Sequence, residues 1–125
     1  MKVLINSCYG GFTLSDFAIE LYCERANIKE DQFDDYSVSR KDPLLIEIFE
    51  EIGSEQMSGM CSKITVVEIP DFAKYWIGEY DGFESISETW IEVREEDLKK
   101  GFSDEQIKAA NQVMSIKIVK PKNKI

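Results

Sequence analysis

The stretch that decides the fold is Lys2-Val3-Leu4-Ile5-Asn6-Ser7-Cys8-Tyr9-Gly10-Gly11-Phe12-Thr13-Leu14-Ser15. Three consecutive apolar residues, Val3 to Ile5, read as a short strand covered on both faces. A small polar patch stops it, and Gly10-Gly11 supply positive φ or close backbone approach. Thr13 with Asp16 three residues on matches a capping box, and Leu14, Phe17, Ala18, Leu21 and Tyr22 then recur at helical spacing. A helix is expected from Leu14 to about Ala26, with its stop near Asn27.

Outward from this corner the signals alternate in kind. Glu30, Asp31, Asp34 and Asp35 lie in a polar loop that lacks the ligand spacing of an EF-hand and reads as solvated. Asp42-Pro43 opens a helix with Leu45, Ile48, Phe49 and Ile52 as its apolar stripe, and Gly53 ends it. Lys63 to Ile69 is β-branched and reads as a strand stopped by Pro70. Lys74 to Tyr80, then Asp81-Gly82, then Phe83 to at least Glu88 read as a β-hairpin. A short helix over 95–100, a capped helix from Ser103 to about Met114, an edge strand over 115–120 and a basic tail over 121–125 complete the chain.

The order is strand, helix, helix, strand, hairpin, helix, strand. It predicts an α+β fold with a mixed β-sheet of about four to five strands and helices packed on it, in βααβββαβ order. The two helices between the first strands suit a crossover, right-handed if those strands are parallel. At 125 residues a single domain is expected.

Composition narrows the chemistry. The net charge is −9, and residues 1–90 carry 7 basic and 18 acidic side chains against 8 and 6 in 91–125. An acidic body repels a phosphate backbone, so non-specific nucleic-acid binding is disfavoured. The cysteines, Cys8, Cys23 and Cys61, are odd in number and lack CxxC spacing, so reduced thiols and a cytoplasmic setting are expected. No histidine is present, which removes Ser-His and Cys-His nucleophile pairs and most zinc sites. No apolar run approaches a membrane span. Neither a metal, a cofactor nor a set of catalytic residues is expected.

A strand, a Gly-Gly turn and a helix N-terminus together make a competent anion site, because free N–H groups and the positive helix end favour phosphate or carboxylate. Ser7, Thr13 and Ser15 add hydroxyl donors, Tyr9 offers a stacking ring, and Cys8, Gly10 and Gly11 line the turn. These seven residues are the candidate ligand site, weighed against a turn that needs its glycines for geometry alone. Trp76, Tyr80, Phe83 and Trp90 flank the hairpin and read first as core and second as an exposed partner surface.

Three ordered blocks carry a resemblance: Ile5 to Phe12 with Leu14-Ser15; Arg40-Lys41-Asp42-Pro43-Leu44-Leu45 through Glu51-Ile52-Gly53; and Val67-Glu68-Ile69-Pro70 with Trp76-Ile77, Glu79-Tyr80-Asp81-Gly82 and Trp90. Over roughly residues 1–90 the chain resembles a family of small proteins of uncharacterised function common in bacteriophage and prophage genomes. The resemblance implies a phage-type accessory protein acting in the host cytoplasm, with residues 91–125 as an extension of the family-like core. The expected function is non-catalytic binding of a small anionic ligand such as a nucleotide at the Cys8–Ser15 corner, with counter-defence as one use. The alternatives are an acidic protein inhibitor of a host factor and an enzyme using Cys8 or carboxylates. A spare sheet edge would also suit a homodimer.

Overall fold

The computed structural model describes residues 1–113 and 115–119, with the side chains of 97–99 excepted. Met114 and the expected basic tail lie outside the described residues. The chain is α+β, with helices and a mixed sheet. Its strands are β1 (Lys2–Asn6), β2 (Ile64–Glu68), β3 (Lys74–Tyr80), β4 (Phe83–Arg94) and β5 (Ser115–Val119). Its helices are α1 (Asp16–Ala26), α2 (Pro43–Met57), α3 (Glu95–Lys100) and α4 (Asp104–Ala110). The strands divide between two sheets rather than joining in one. β1 pairs with β2, and β3, β4 and β5 lie side by side in that order.

The chain groups into two compact units. The first holds residues 1–68 and 77–85, the second 69–76 and the residues from 86 onward. The boundary falls within the β3–β4 hairpin, whose turn end belongs to the first unit and whose base belongs to the second.

In the first unit β1 and β2 run antiparallel, in the register Lys2↔Glu68 to Asn6↔Ile64. The parallel crossover considered from the sequence is therefore not formed. Two intervening helices each reverse the chain, so β2 returns antiparallel to β1. α1 and α2 pack over this pair, and Leu4, Phe12, Leu14, Ala18, Leu45, Ile48, Met57 and Ile64 form the buried core. Asp42 caps α2 through the N–H groups of Leu44 and Leu45, with Pro43 in the first turn. Gly53 (φ 83°) breaks α2 where the sequence predicts a stop, and one more helical turn follows to Met57. α1 begins two residues later than expected. Ser15, not Thr13, is its N-cap and accepts from the Ala18 N–H at 3.1 Å, because a β-bridge between Leu14 and Ser58 keeps the chain extended up to Ser15.

A strand with one partner leaves its other edge raw. Along β1 that edge is covered by groups distant in sequence. The Leu4 N–H donates to the Arg40 carbonyl at 2.8 Å, and the Asn6 N–H donates to Glu84 Oε1 at 2.9 Å. Arg40 holds Glu84 through both guanidinium arms, the longer contact being 2.9 Å, and its plane lies 3.6 Å over the Phe12 ring. Asn6 and Glu84 are buried.

In the second unit β5 runs parallel to β4, from Trp90↔Ser115 to Arg94↔Val119. Ile91, Val93 and Ala109 form its buried core, with Phe102, Ala110 and Val113 against it. The sequence-predicted capping box of α4 is formed, the Ser103 and Gln106 side chains each bonding the other's backbone N–H.

Two outcomes follow. Arg40→Ala leaves the buried Glu84 carboxylate, and Glu84→Ala the half-buried Arg40 guanidinium, without its partner, and each should lower the unfolding free energy by about 3 kcal/mol in urea denaturation. The double variant should lose clearly less than the sum, whereas additive losses would show that the side chains act independently. The second outcome concerns Tyr22, whose phenol donates to the Asp42 carboxylate at 2.7 Å. That bond, helped by partial burial and the Asp42 charge, pushes its pKa up to about 12. An unfolded tyrosine titrates near 10, so the folded state favours the protonated phenol. The resulting stability is full below pH ~10 and is lost as the pH rises toward about 12. Of the five tyrosines one should titrate late by tyrosinate absorbance, and Tyr22→Phe should abolish both that step and its share of the alkaline loss of stability.

Candidate functional site

The corner between β1 and α1 is enclosed by three other segments of the first unit. The Asn6 amide is its pivot. Asn6 Nδ2 donates to the carbonyls of Cys8 at 2.7 Å and Gly82 at 2.8 Å, and Asn6 Oδ1 accepts from the Lys63 N–H at 2.8 Å. One side chain thus curls the chain after β1 and attaches it to the hairpin turn and to the start of β2.

Asp81 and Gly82 both take positive φ, 52° and 87°, as a two-residue type I′ turn demands. That turn lies directly on the glycine corner. The Gly10 N–H donates to the Asp81 carbonyl at 3.2 Å. A Cβ built on Gly82 would fall 2.2 Å from the Gly11 nitrogen and 2.5 Å from that of Gly10. On its other side Gly10 faces Cys61, whose carbonyl oxygen would lie 2.7 Å from an added Cβ. Gly82 and Gly10 therefore let backbone pack on backbone, a close approach that a side chain at either would prevent.

The hydroxyls of the candidate site face inward. Ser7 Oγ donates to the Lys63 carbonyl at 3.1 Å, Thr13 Oγ1 to Met60 at 3.3 Å, and Ser15 Oγ to Gln56. The N–H groups have partners too, Ser7 on the Lys63 carbonyl, Ser15 on that of Met57, and Leu14 on the Asp35 carboxylate at 2.9 Å. Asp35, read from the sequence as one of several solvated acids, places a negative charge just before α1, where the helix dipole favours it. Ser7, Thr13 and Ser15 together stitch the corner to the 56–63 segment. Beside them lies an open cavity of about 440 Å³ lined by Ser54, Glu55, Ser58, Gly59, Ser62 and Lys63.

The cysteines do not converge on a shared function. Cys23 is buried, and burial pushes its thiol pKa up. Cys8 is half-buried, and Cys61 is exposed with φ 61°. All three are free thiols.

Outside this framework the first unit exposes aromatic rings. Tyr9 is 60% exposed, Tyr80 78% and Phe83 39%. The rings of Tyr9 and Phe83 lie 5.5 Å apart and tilted by 48°. Tyr80 and Phe83 directly flank the two-residue turn, which puts them opposite each other on one face of the hairpin. The core reading of Tyr80 and Phe83 is thus overturned. In the second unit Trp76 is also exposed and Trp90 half-buried.

The candidate residues named from the sequence omit four members of the framework, Asn6, Asp35, Arg40 and Glu84, whose contacts join segments far apart in the chain and carry no local signal. Comparison with protein-family models, with curated proteins and with solved structures finds no match. Among the described residues no helix is long and apolar enough to cross a membrane.

The packing of the turn on the corner can be read from one substitution. Gly82→Ala must hold a φ of 87° and also displace the Gly10-Gly11 backbone. By urea or thermal denaturation it should lose ~3 kcal/mol, about 1 from the backbone strain and about 2 from the displacement. A loss of only about 1 kcal/mol, the strain alone, would mean that the turn does not bear on the corner.

Proposed function

We propose that the chain is a non-catalytic binding protein that holds a protein partner on the aromatic face of Tyr9, Tyr80 and Phe83. The observation that carries this reading is the exposure of these rings on a backbone clamped from behind by Asn6, Gly10 and Gly82. Tyrosine and phenylalanine give large contact area at low entropic cost, and such residues anchor protein interfaces. The small-anion reading of Ser7, Cys8, Tyr9, Gly10, Gly11, Thr13 and Ser15 is favoured less. Its hydroxyls are engaged with backbone carbonyls, and the Asp35 carboxylate sits on the Leu14 N–H.

Charge selects the kind of partner. Residues 1–90 carry 18 acidic side chains against 7 basic ones, and Asp81 stands in the turn between Tyr80 and Phe83. A partner surface that combines arginine or lysine with apolar groups meets both features, through long-range attraction and through cation–π contact. In the phage-type setting that the sequence resemblance implies, this partner is a host protein whose function is blocked by occupancy.

The test compares the immobilised wild-type chain with a Tyr9→Ser/Tyr80→Ser variant in a bacterial lysate. Both rings are largely exposed, so the variant should retain its circular dichroism. A basic protein should be retained by the wild type, released as salt is raised, and lost from the variant. Retention that is indifferent to the two substitutions would remove the aromatic face from the function.

A further inference from the structure

The hydrophobic core of the second unit stays open along one edge. Ile116 and Ile118 on β5 pair in register with Ile91 and Val93 on β4, so all four side chains lie on the sheet face that Ala109 of α4 covers. Ile91 and Val93 are buried, but Ile116 remains 45% exposed and Ile118 56%. α4 is seven residues long. β5 is the terminal strand of its sheet, and among the described residues no strand pairs with its outer edge. Such an edge, with apolar side chains beside unpaired backbone groups, is a template for another strand.

We infer that β5 pairs antiparallel with β5 of a second copy of this chain, joining two three-stranded sheets into one of six strands. The sequence of the strand selects this occupant. Ile116-Lys117-Ile118 reads the same in both directions. A two-fold axis through the sheet at Lys117 sets Ile116 opposite Ile118 of the second copy, and Ile118 opposite its Ile116, all on the α4 face. This register matches all five residues of β5 and keeps each face continuous.

The axis also brings two Lys117 side chains together on the opposite face, where like charges would repel. Each is already neutralised within its own chain. Lys117 Nζ lies 3.2 Å from Glu88 and 3.9 Å from the centre of the Trp90 ring. Residues 91–125, with 8 basic and 6 acidic side chains, are also nearly neutral, so two copies meet here without the repulsion expected between their acidic 1–90 regions.

Sedimentation of the full chain over a concentration series should show a dimer that dissociates on dilution. Ile118→Lys alters a half-exposed residue and should weaken association by about tenfold or more with circular dichroism unchanged. Position-specific evidence comes from cysteine scanning. Directly opposed residues in antiparallel strands have Cα atoms about 4.5–5.5 Å apart, within disulfide range. Under mild oxidation Lys117→Cys should therefore give a covalent dimer well above the wild-type background, whereas Ser115→Cys, whose counterpart is Val119, should not. A chain monomeric at every concentration overturns the inference. So does a dimer indifferent to Ile118→Lys, or one in which Lys117→Cys cross-links no better than Ser115→Cys.

Discussion

The first unit depends on how the outer edge of β1 is closed. A two-stranded sheet is marginal by itself, and here one of its strands is buried against the core. Its backbone groups need partners that no neighbouring strand provides. The Arg40 carbonyl and the Glu84 carboxylate supply them, and the Arg40–Glu84 ion pair binds those two suppliers to each other. Removing both charges from water is unfavourable, but the two-armed geometry and the Asn6 N–H offset it by giving the carboxylate three donors. Arg40 lies two residues before the Asp42 cap of α2, and Glu84 two residues after Gly82. One ion pair therefore fixes where α2 begins and where the hairpin turn lies against β1.

From that closure the corner follows. With β1 and the turn locked together, Gly82 has to pass the Gly10-Gly11 backbone and Gly10 has to pass Cys61 at distances that leave no room for a Cβ on either. The sequence pointed to this corner through its glycines but did not reveal what would fill it. Ser7, Thr13 and Ser15 look alike to local rules, each a hydroxyl near a helix start. Their roles are separated by the 56–63 segment, whose Ser58 holds Leu14 in a β-bridge and leaves the cap to Ser15. Asp35 behaves in the same way. Nothing in its neighbourhood distinguishes it from Asp34, and only the fold brings it to the Leu14 N–H.

What was legible shares one property, that its cause is local. The Asp42-Pro43 cap, the Gly53 break, the Asp81-Gly82 turn and the Ser103 capping box each rest on residues within a few positions of one another. The contacts that the sequence hid join residues far apart, such as Asn6 to Glu84 across 78 positions. Strand direction belongs to the second kind. Both helices between β1 and β2 were legible, but whether the strands run together or opposed depends on how those helices turn the chain. The hairpin rings are a further case. Alternation assigns Tyr80 to one side of β3, but whether that side is core or surface depends on what covers it, and nothing in the first unit covers Tyr80.

In the proposed binding role, the same closure would arrange that exposed face in advance. A hairpin turn free in solvent would lose conformational entropy on gripping a partner. This one is already held, by Asn6 through the Gly82 carbonyl and by Gly10 through the Asp81 carbonyl. The Tyr9 and Phe83 rings, 5.5 Å apart, come from the two segments so joined. Their spacing is set during folding by the buried polar network, so a partner of the proposed kind would meet an arranged pair rather than two independent side chains. A core of apolar residues could have fixed the backbone equally well, but it would have left the turn's own polar groups without partners. Polar closure at the back leaves the front free to be aromatic.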